Sequence, residues 1–223
     1  RQNPALQIVG QLTTFTAAYD RVTMHGVRRE LVRRQAESIG LPLFEMFRPW
    51  PRAADEVPRT AESDDNTEPV RNVLVTNDVY EQVLTETCLA LREQQGVEGF
   101  IFGDIFLEDV RNYRQQLLSQ FGFELLFPIW GRDSHELMHE FTEAGFQARL
   151  VCVDGRVLDG SWCGRLLDSD LVAQLPPGVD PCGENGEFHS FVFNGPGFAS
   201  AVPHQLGETV WRDPFWFCEL LPE

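Results

Sequence analysis

From residue 6 to residue 130, short apolar runs suited to strands alternate with stretches whose apolar residues recur at helical spacing, and this alternation limits the folds open to the chain. Residues 6–12, LQIVGQL, read as a buried strand that stops at Thr13 and Thr14. The next stretch, VTMHGVRRELVRRQAESIG, sets Val27, Leu31, Val32 and Ile39 on one helical face, and Gly40 suits its C-terminal cap. LPLFEMF (41–47) reads as a second strand, and residues 77–95 as a helix with Val79, Val83 and Leu84 on one face. GFIFGDI (99–105) then reads as a strand with Asp104 at its C-terminal end, EDVRNYRQQLLSQFG as a helix and ELLFPIW as a strand. Strands alternating with helices predict a parallel α/β sheet. Ligands of such sheets sit beyond the carboxyl ends of the strands, the edge on which Thr13, Thr14, Gly103 and Asp104 fall. Residues 51–69, rich in Pro, Asp and Glu, read as a mobile surface loop. After Trp130 the texture changes to one short helix, many turns and β-like pieces such as RLVCVDG and FHSFVFNG. The expectation is therefore two domains, 1–130 and 131–223, without an internal repeat.

Charge and composition narrow the function. A net charge of −16 would repel a phosphate backbone, so a nucleic-acid groove is not expected. No apolar stretch approaches the roughly 20 residues of a membrane-spanning helix, and RQNPALQIVG has no apolar segment of the signal-peptide kind. Five cysteines, odd in number and without a CxxC pair, suggest reduced thiols and a cytoplasmic setting. All 18 basic residues are arginine, for which a codon bias is the plain explanation; the chain therefore holds no Walker-type or Schiff-base lysine.

Residues 182–191, CGENGEFHSF, crowd two acids, an amide and an imidazole around two glycines. A turn needs one Gly and one Asn. Glu184 and Glu187 can hold a cation, orient ammonia or accept a proton as it attacks; Asn185 supplies donor and acceptor, and Gly186 lets a ligand approach the backbone. The structural alternative is an acidic turn ahead of a strand, with Phe188 or Phe191 turned inward. His25 and Gly26 are expected at a helix start, where free N–H groups favour anions, with Arg28 able to fork onto a phosphate or carboxylate. Asp104 either holds magnesium or a ribose hydroxyl or caps the next helix, and Arg111 either pairs with it or reaches the substrate. HELMH (135–139) matches the zinc-protease signature, His135 and His139 as ligands and Glu136 as base. Asp133 and Glu136 also have the spacing of a capping box, and the third ligand of the extended motif is missing, so no metal site is assigned.

DRVTMHGVRREL (20–31), GDIFLEDVRNYR (103–114), PIW (128–130), WCGR (162–165) and DPCGENGEFHSF (180–191) together resemble the diphthine–ammonia ligase family of ATP-binding proteins. MHGVR and GENGEFHS are the specific parts of the likeness, which runs through nearly the whole chain in the same order. That family is an N-type ATP pyrophosphatase group of the adenine-nucleotide α-hydrolase-like fold. The resemblance implies an α/β, parallel-sheet, HUP-like nucleotide-binding domain followed by a smaller mixed α+β substrate domain. It also implies an AMP-forming amide synthesis: ATP adenylates a carboxylate, and ammonia displaces AMP. In archaeal and eukaryotic members the carboxylate belongs to diphthine, a modified histidine on an elongation factor; bacterial relatives must use another acceptor.

On this resemblance Thr13, Thr14, His25, Gly26, Arg28 and Gly103 are the nucleotide-side residues, and Asp104, Glu184 and Glu187 the catalytic ones. Asn185, Gly186, His189, Arg111 and Trp130 fall on the substrate side. His189 could meet the acceptor carboxyl, and Trp130 or Trp162 could form an aromatic wall for a trimethylammonium group. ATP and Mg2+ are the implied cofactors; ammonia and a carboxylate acceptor are the implied partners, and a homodimer is open. The family begins with a strand and an SGGKDS-type pyrophosphate loop, and residue 1 falls after them, so the nucleotide domain is expected to be N-terminally incomplete here. A non-catalytic nucleotide-binding module and a zinc hydrolase acting through HELMH are the alternatives.

Overall fold

The first strand, β1, runs Gln11–Thr16, so the threonines belong to it and do not end it. Thr13, Thr14, Phe15 and Thr16 suit a pleated, half-buried surface. They gain a full partner in β3, Leu43–Arg48, which pairs with β1 in parallel from Gln11↔Leu43 to Thr16↔Arg48. A short β2, Arg21–Val22, pairs antiparallel with the end of β1. The structure, a computed structural model, describes residues 6–48 and 77–223, so the surface loop expected at 51–69 lies outside the described residues.

Between β1 and β3 runs α1, Arg29–Ile39, closed by Gly40 at φ 69, where only glycine is unstrained. Next come α2 (Asn77–Gln95), β4 (Gly99–Ile101), α3 (Glu108–Ser119) and β5 (Glu124–Leu126). β4 and β5 are again parallel. The expected strand–helix alternation is therefore present, divided among the described residues into two sheets, β2-β1-β3 and β4-β5.

Beyond residue 130 the chain forms α4 (Ser134–Glu143), β6 (Gln147–Asp154), α5 (Ser169–Gln174), β7 (Phe188–Asn194), β8 (His204–Arg212) and β9 (Phe215–Pro222). The four strands make an antiparallel sheet in the order β7-β6-β9-β8. β6 is buried almost throughout, as an inner strand covered on both faces must be. Among the described residues no helix is long and apolar enough to cross a membrane. All five cysteines are free thiols.

The apolar stripe of α1 does not turn only toward its own sheet. Leu31 and Val32, with Phe15 of β1, pack in one cluster with Val151, Phe191 and Leu220 of the antiparallel sheet. A second cluster lies around Met138, Leu150, Val153 and Phe188, and a third joins α2 and α3 through Cys88, Leu117, Leu118 and Phe123. The first cluster thus crosses residue 131 and joins the two halves by burial.

Leu31 is fully buried, and truncating such a side chain removes contacts and leaves a cavity. Leu31→Ala should cost about 2–5 kcal/mol. Because the cluster is shared, the loss should appear in the tryptophan fluorescence transition in urea, to which Trp162, Trp211 and Trp216 of the C-terminal part contribute. An unchanged tryptophan midpoint would show that the halves unfold independently.

Candidate active site

The loop before β7 is tied to itself by N–H donors. Asp180 accepts from the backbone N–H of Cys182 at 2.9 Å and of Glu184 at 3.2 Å. Glu187 Oε1 accepts from the Asp180 N–H at 2.9 Å and from Asn185 Nδ2 at 3.0 Å. Gly183 has φ 69, and a Cβ there would meet the Phe188 carbonyl oxygen at 2.7 Å, so the loop closes only around glycine. Phe188 is buried in the second core cluster and Phe191 in the first, which anchors the end of the loop. The turn-with-inward-Phe reading therefore describes the packing correctly, but it does not account for Glu187. This carboxylate is only 8% exposed, and its Oε2 is buried without a hydrogen-bond partner.

Glu184 reaches across to the other half. Its Oε1 accepts from the Ile105 N–H at 2.7 Å, so the loop rests on the segment that follows β4. Asp104 stands next in that segment, 14% exposed at its side chain, and both its oxygens are taken by Arg114, at 2.8 and 3.2 Å. The partner that sequence spacing offered, Arg111, lies elsewhere. Its guanidinium stands over Trp130 at 4.4 Å and over Phe127 at 5.1 Å. Asp104 is not the cap of α3 either; Leu107 holds that position. Gly103 is exposed, with open space over it as far as Ile129 Cδ1 at 4.0 Å.

His25 and His189 come together, their ring centroids 4.5 Å apart. Burial holds the His189 pKa down at about 4, with the neighbouring His25 adding to the effect. Burial also lowers the His25 pKa, against the raising effect of the Thr23 carbonyl. Both imidazoles are therefore neutral at pH 7.

Two sequence expectations are corrected here. His25 and Gly26 do not open the helix, which starts at Arg29; their N–H groups donate to the carbonyls of Thr23 and Val22, so they are not free for an anion. Gly26, at φ 71, packs so close to Phe217 that a Cβ would lie 2.9 Å from its ring. Thr13 and Thr14 stand inside β1, opposite Glu45 and Met46, and the Thr14 carbonyl accepts from Thr23 N–H at 3.0 Å. Arg28 gives its Nε to the carboxylate of Glu219 on β9, which Arg21 also binds. Arg21 also donates to the Gly26 carbonyl at 2.8 Å, which fixes the turn under His25. Burial works to raise the Glu219 pKa, but the hydrogen bonds from the two arginines outweigh it and lower it.

HELMH lies on α4 with His135 and His139 both exposed. Asp133 caps the helix by accepting from the Glu136 N–H at 3.0 Å, and His139 faces Glu143 at 3.5 Å. Among the described residues no three His, Cys, Asp or Glu side chains converge on a metal position. The structure thus groups Glu184, Asn185 and Glu187 in one loop, joins that loop to the Asp104 segment, and sets the His25 ring, tilted, against that of His189. Sequence reasoning missed Asp180, Arg114, Arg21 and Glu219. The Asp-x-Cys turn before GENGE was a usable signal for Asp180. Nothing local signals Glu219, which lies 198 residues from Arg21 in sequence.

The fold and site define a mixed α/β chain whose antiparallel part has known counterparts: residues 133–220 match the family model described as diphthamide synthase C-terminal domain. The chain is also similar to the diphthine–ammonia ligases of Homo sapiens and Bos taurus, 26% identical over 132 residues that cover 57% of this chain and 49% of each relative. The diphthine–ammonia ligase of Rattus norvegicus is 24% identical over the same span. These matches, at low identity, are all to the diphthine–ammonia ligase family. The chain spans about half the length of the curated relatives it matches.

The histidine pair has a measurable consequence. Unfolded, each imidazole takes a proton below about pH 6.5. Folded, His189 resists protonation down to about 4, so the folded state should lose stability as pH falls from 6.5 toward 4. His189→Asn should flatten the decline of the urea midpoint in that window. The losses from Glu45, whose pKa the Arg29 and Arg33 hydrogen bonds lower to about 2, begin only below about 4.5. A decline of equal slope in the variant would remove His189 as its cause.

Proposed function

We propose that this chain is part of an ATP-dependent, AMP-forming amidoligase that condenses ammonia with a substrate carboxylate. The observation that carries the reading is Glu187: a carboxylate excluded from water, held by two N–H donors on one oxygen and left with an unpaired oxygen on the other. A buried acceptor of this kind is costly unless a ligand supplies the donor. The named activity of the relatives supports the reading from a second direction. Diphthine is the acceptor named for those relatives; for this chain the proposed class is a carboxylate, diphthine or a related group.

The chemistry divides into two steps. The acceptor carboxylate oxygen attacks the α-phosphorus of ATP, the α–β phosphoanhydride bond breaks, and pyrophosphate leaves. Ammonia then attacks the acyl carbon, AMP departs with the bridging oxygen, and one proton must be taken from nitrogen. Glu187 Oε2 is the acceptor for that proton, and Asn185 keeps the carboxylate oriented by binding its other oxygen. Glu184 fixes the loop against the Asp104 segment, on the side proposed for the nucleotide. The neutral His25–His189 pair walls this region without adding a cation that would repel ammonium. A magnesium ion is implied with ATP, but Asp104 has both oxygens on Arg114, so the described acids do not by themselves form a magnesium site. The proposed setting is the cytoplasm, which the free cysteines suit.

The test is the full-length protein mixed with ATP, ammonium and candidate carboxylates, scored for AMP and amide. AMP that depends on both ammonium and the acceptor supports the reading; nucleotide binding without AMP would favour a non-catalytic module. Glu187→Gln should slow amide formation about 10²–10⁴-fold and leave ATP affinity unchanged. Equal amidation by the variant and the native protein would remove Glu187 from the chemistry.

A further inference from the structure

Both tryptophans that could wall a cage for a quaternary ammonium group already carry an arginine. Arg111 stands 4.4 Å from the Trp130 ring centroid, and Arg165 stands 4.6 Å from that of Trp162. A second cation beside either ring would meet a guanidinium charge first. Arg165 is further engaged by Gln174, to whose side-chain oxygen it donates at 2.9 Å. Arg111 differs: no hydrogen bond or ion pair among the described residues uses its guanidinium, and its Nε is buried without a partner.

Its surroundings hold it in place for a ligand. Phe127 lies 5.1 Å from the Arg111 guanidinium carbon and stacks in turn on Phe102 at 5.5 Å. Asp104, the partner that spacing offered it, is taken by Arg114, which itself lies over Phe102 at 4.4 Å, and no ion pair joins Arg111 to Glu108 or Asp109 of its own helix. Glu184, on the facing loop, spends one oxygen on the Ile105 N–H. Arg111 therefore offers a planar, stacked, uncompensated charge beside the Asp104 segment. Such a fork matches the two oxygens of a carboxylate or phosphoryl group.

We infer that Arg111, clamped against Phe127 and Trp130, is an oxyanion subsite that receives the carboxylate or phosphoryl group of a reacting partner. This rests on the amidoligase reading for the identity of the partner, but not for the binding itself. It assigns the acceptor class recognised here as anionic, and it removes Trp130 as the wall of a cation cage.

The test is equilibrium binding to the full chain, followed by tryptophan fluorescence and calorimetry, with inorganic phosphate, AMP, glutarate and tetramethylammonium as separate probes. Phosphate or AMP should bind if the subsite serves the nucleotide, and glutarate if it serves the acceptor; tetramethylammonium should not compete with either. Arg111→Gln should weaken the bound anion roughly ten- to a hundredfold. Arg111→Lys keeps the charge but loses the planar fork, and should recover only part of the loss. Far-UV circular dichroism checks that both variants fold, and the lysine variant carries the test if the glutamine one does not. Anion binding equal in native protein and variants, anion binding absent from the native protein, or tetramethylammonium bound in competition with the anion would each overturn the assignment. A native protein that makes no AMP but binds an oxyanion through Arg111 would refute the ligase reading alone.

Discussion

Glu219 on β9 accepts from two arginines of one short segment, Arg21 and Arg28, and the placement of the site depends on these two ion pairs. Arg21 adds a bond to the Gly26 carbonyl, so the whole turn from β2 to α1 is fixed against the antiparallel sheet. That turn carries His25 onto His189, and α1 then enters the shared core with Leu31 and Val32. The groups are partly buried, which makes the pair less screened than a surface bridge and makes a missing partner expensive. If the Glu219 carboxylate were absent, two guanidinium groups would face each other beside the sheet. The ion network thus sets the register between the halves that apolar burial then stabilises.

The strand–helix rhythm was legible because its signals are local. α2 spans Asn77–Gln95 as expected, and Gly40 ends α1 at the predicted place. β1 was misjudged because an apolar run is only half of what makes a strand. The other half is the partner, and β3 offers one through Thr16↔Arg48, which no window around Thr13 contains. The helix start at His25 failed for a related reason. Met24 and Gly26 both have positive φ, at 68 and 71, and together they form a turn that delays α1 to Arg29. The division near residue 131 follows the change from parallel to antiparallel strands, while the core does not respect it.

At the site, residue types were legible and their partners were not. GENGEFHS pointed to the loop, and the structure brings Asn185 and Glu187 into contact within it. The choice between Arg111 and Arg114 as partner of Asp104 could not be read from spacing, because both lie on the same helix and what separates them is aromatic. Phe127 and Trp130 draw Arg111 over their rings, and Phe102 steers Arg114 to where Asp104 can take it. Rings that follow β4 and β5 therefore decide which arginine stays unpaired.

The distribution of arginine separates the acids of the loop from Glu45, Asp104, Asp154 and Glu219. Glu45 has Arg29 and Arg33, Asp104 has Arg114, Asp154 has Arg156, and Glu219 has Arg21 and Arg28. Those carboxylates each have their charge met by a guanidinium. Asp180, Glu184 and Glu187 are bound instead by N–H donors of the backbone and of Asn185. Neutral donors orient a carboxylate without cancelling its charge, so these acids keep the capacity to attract a cation or take a proton. In a chain of net charge −16 whose arginines pair Glu45, Asp104, Asp154 and Glu219, a cluster held open in this way is the one on which the proposed chemistry rests.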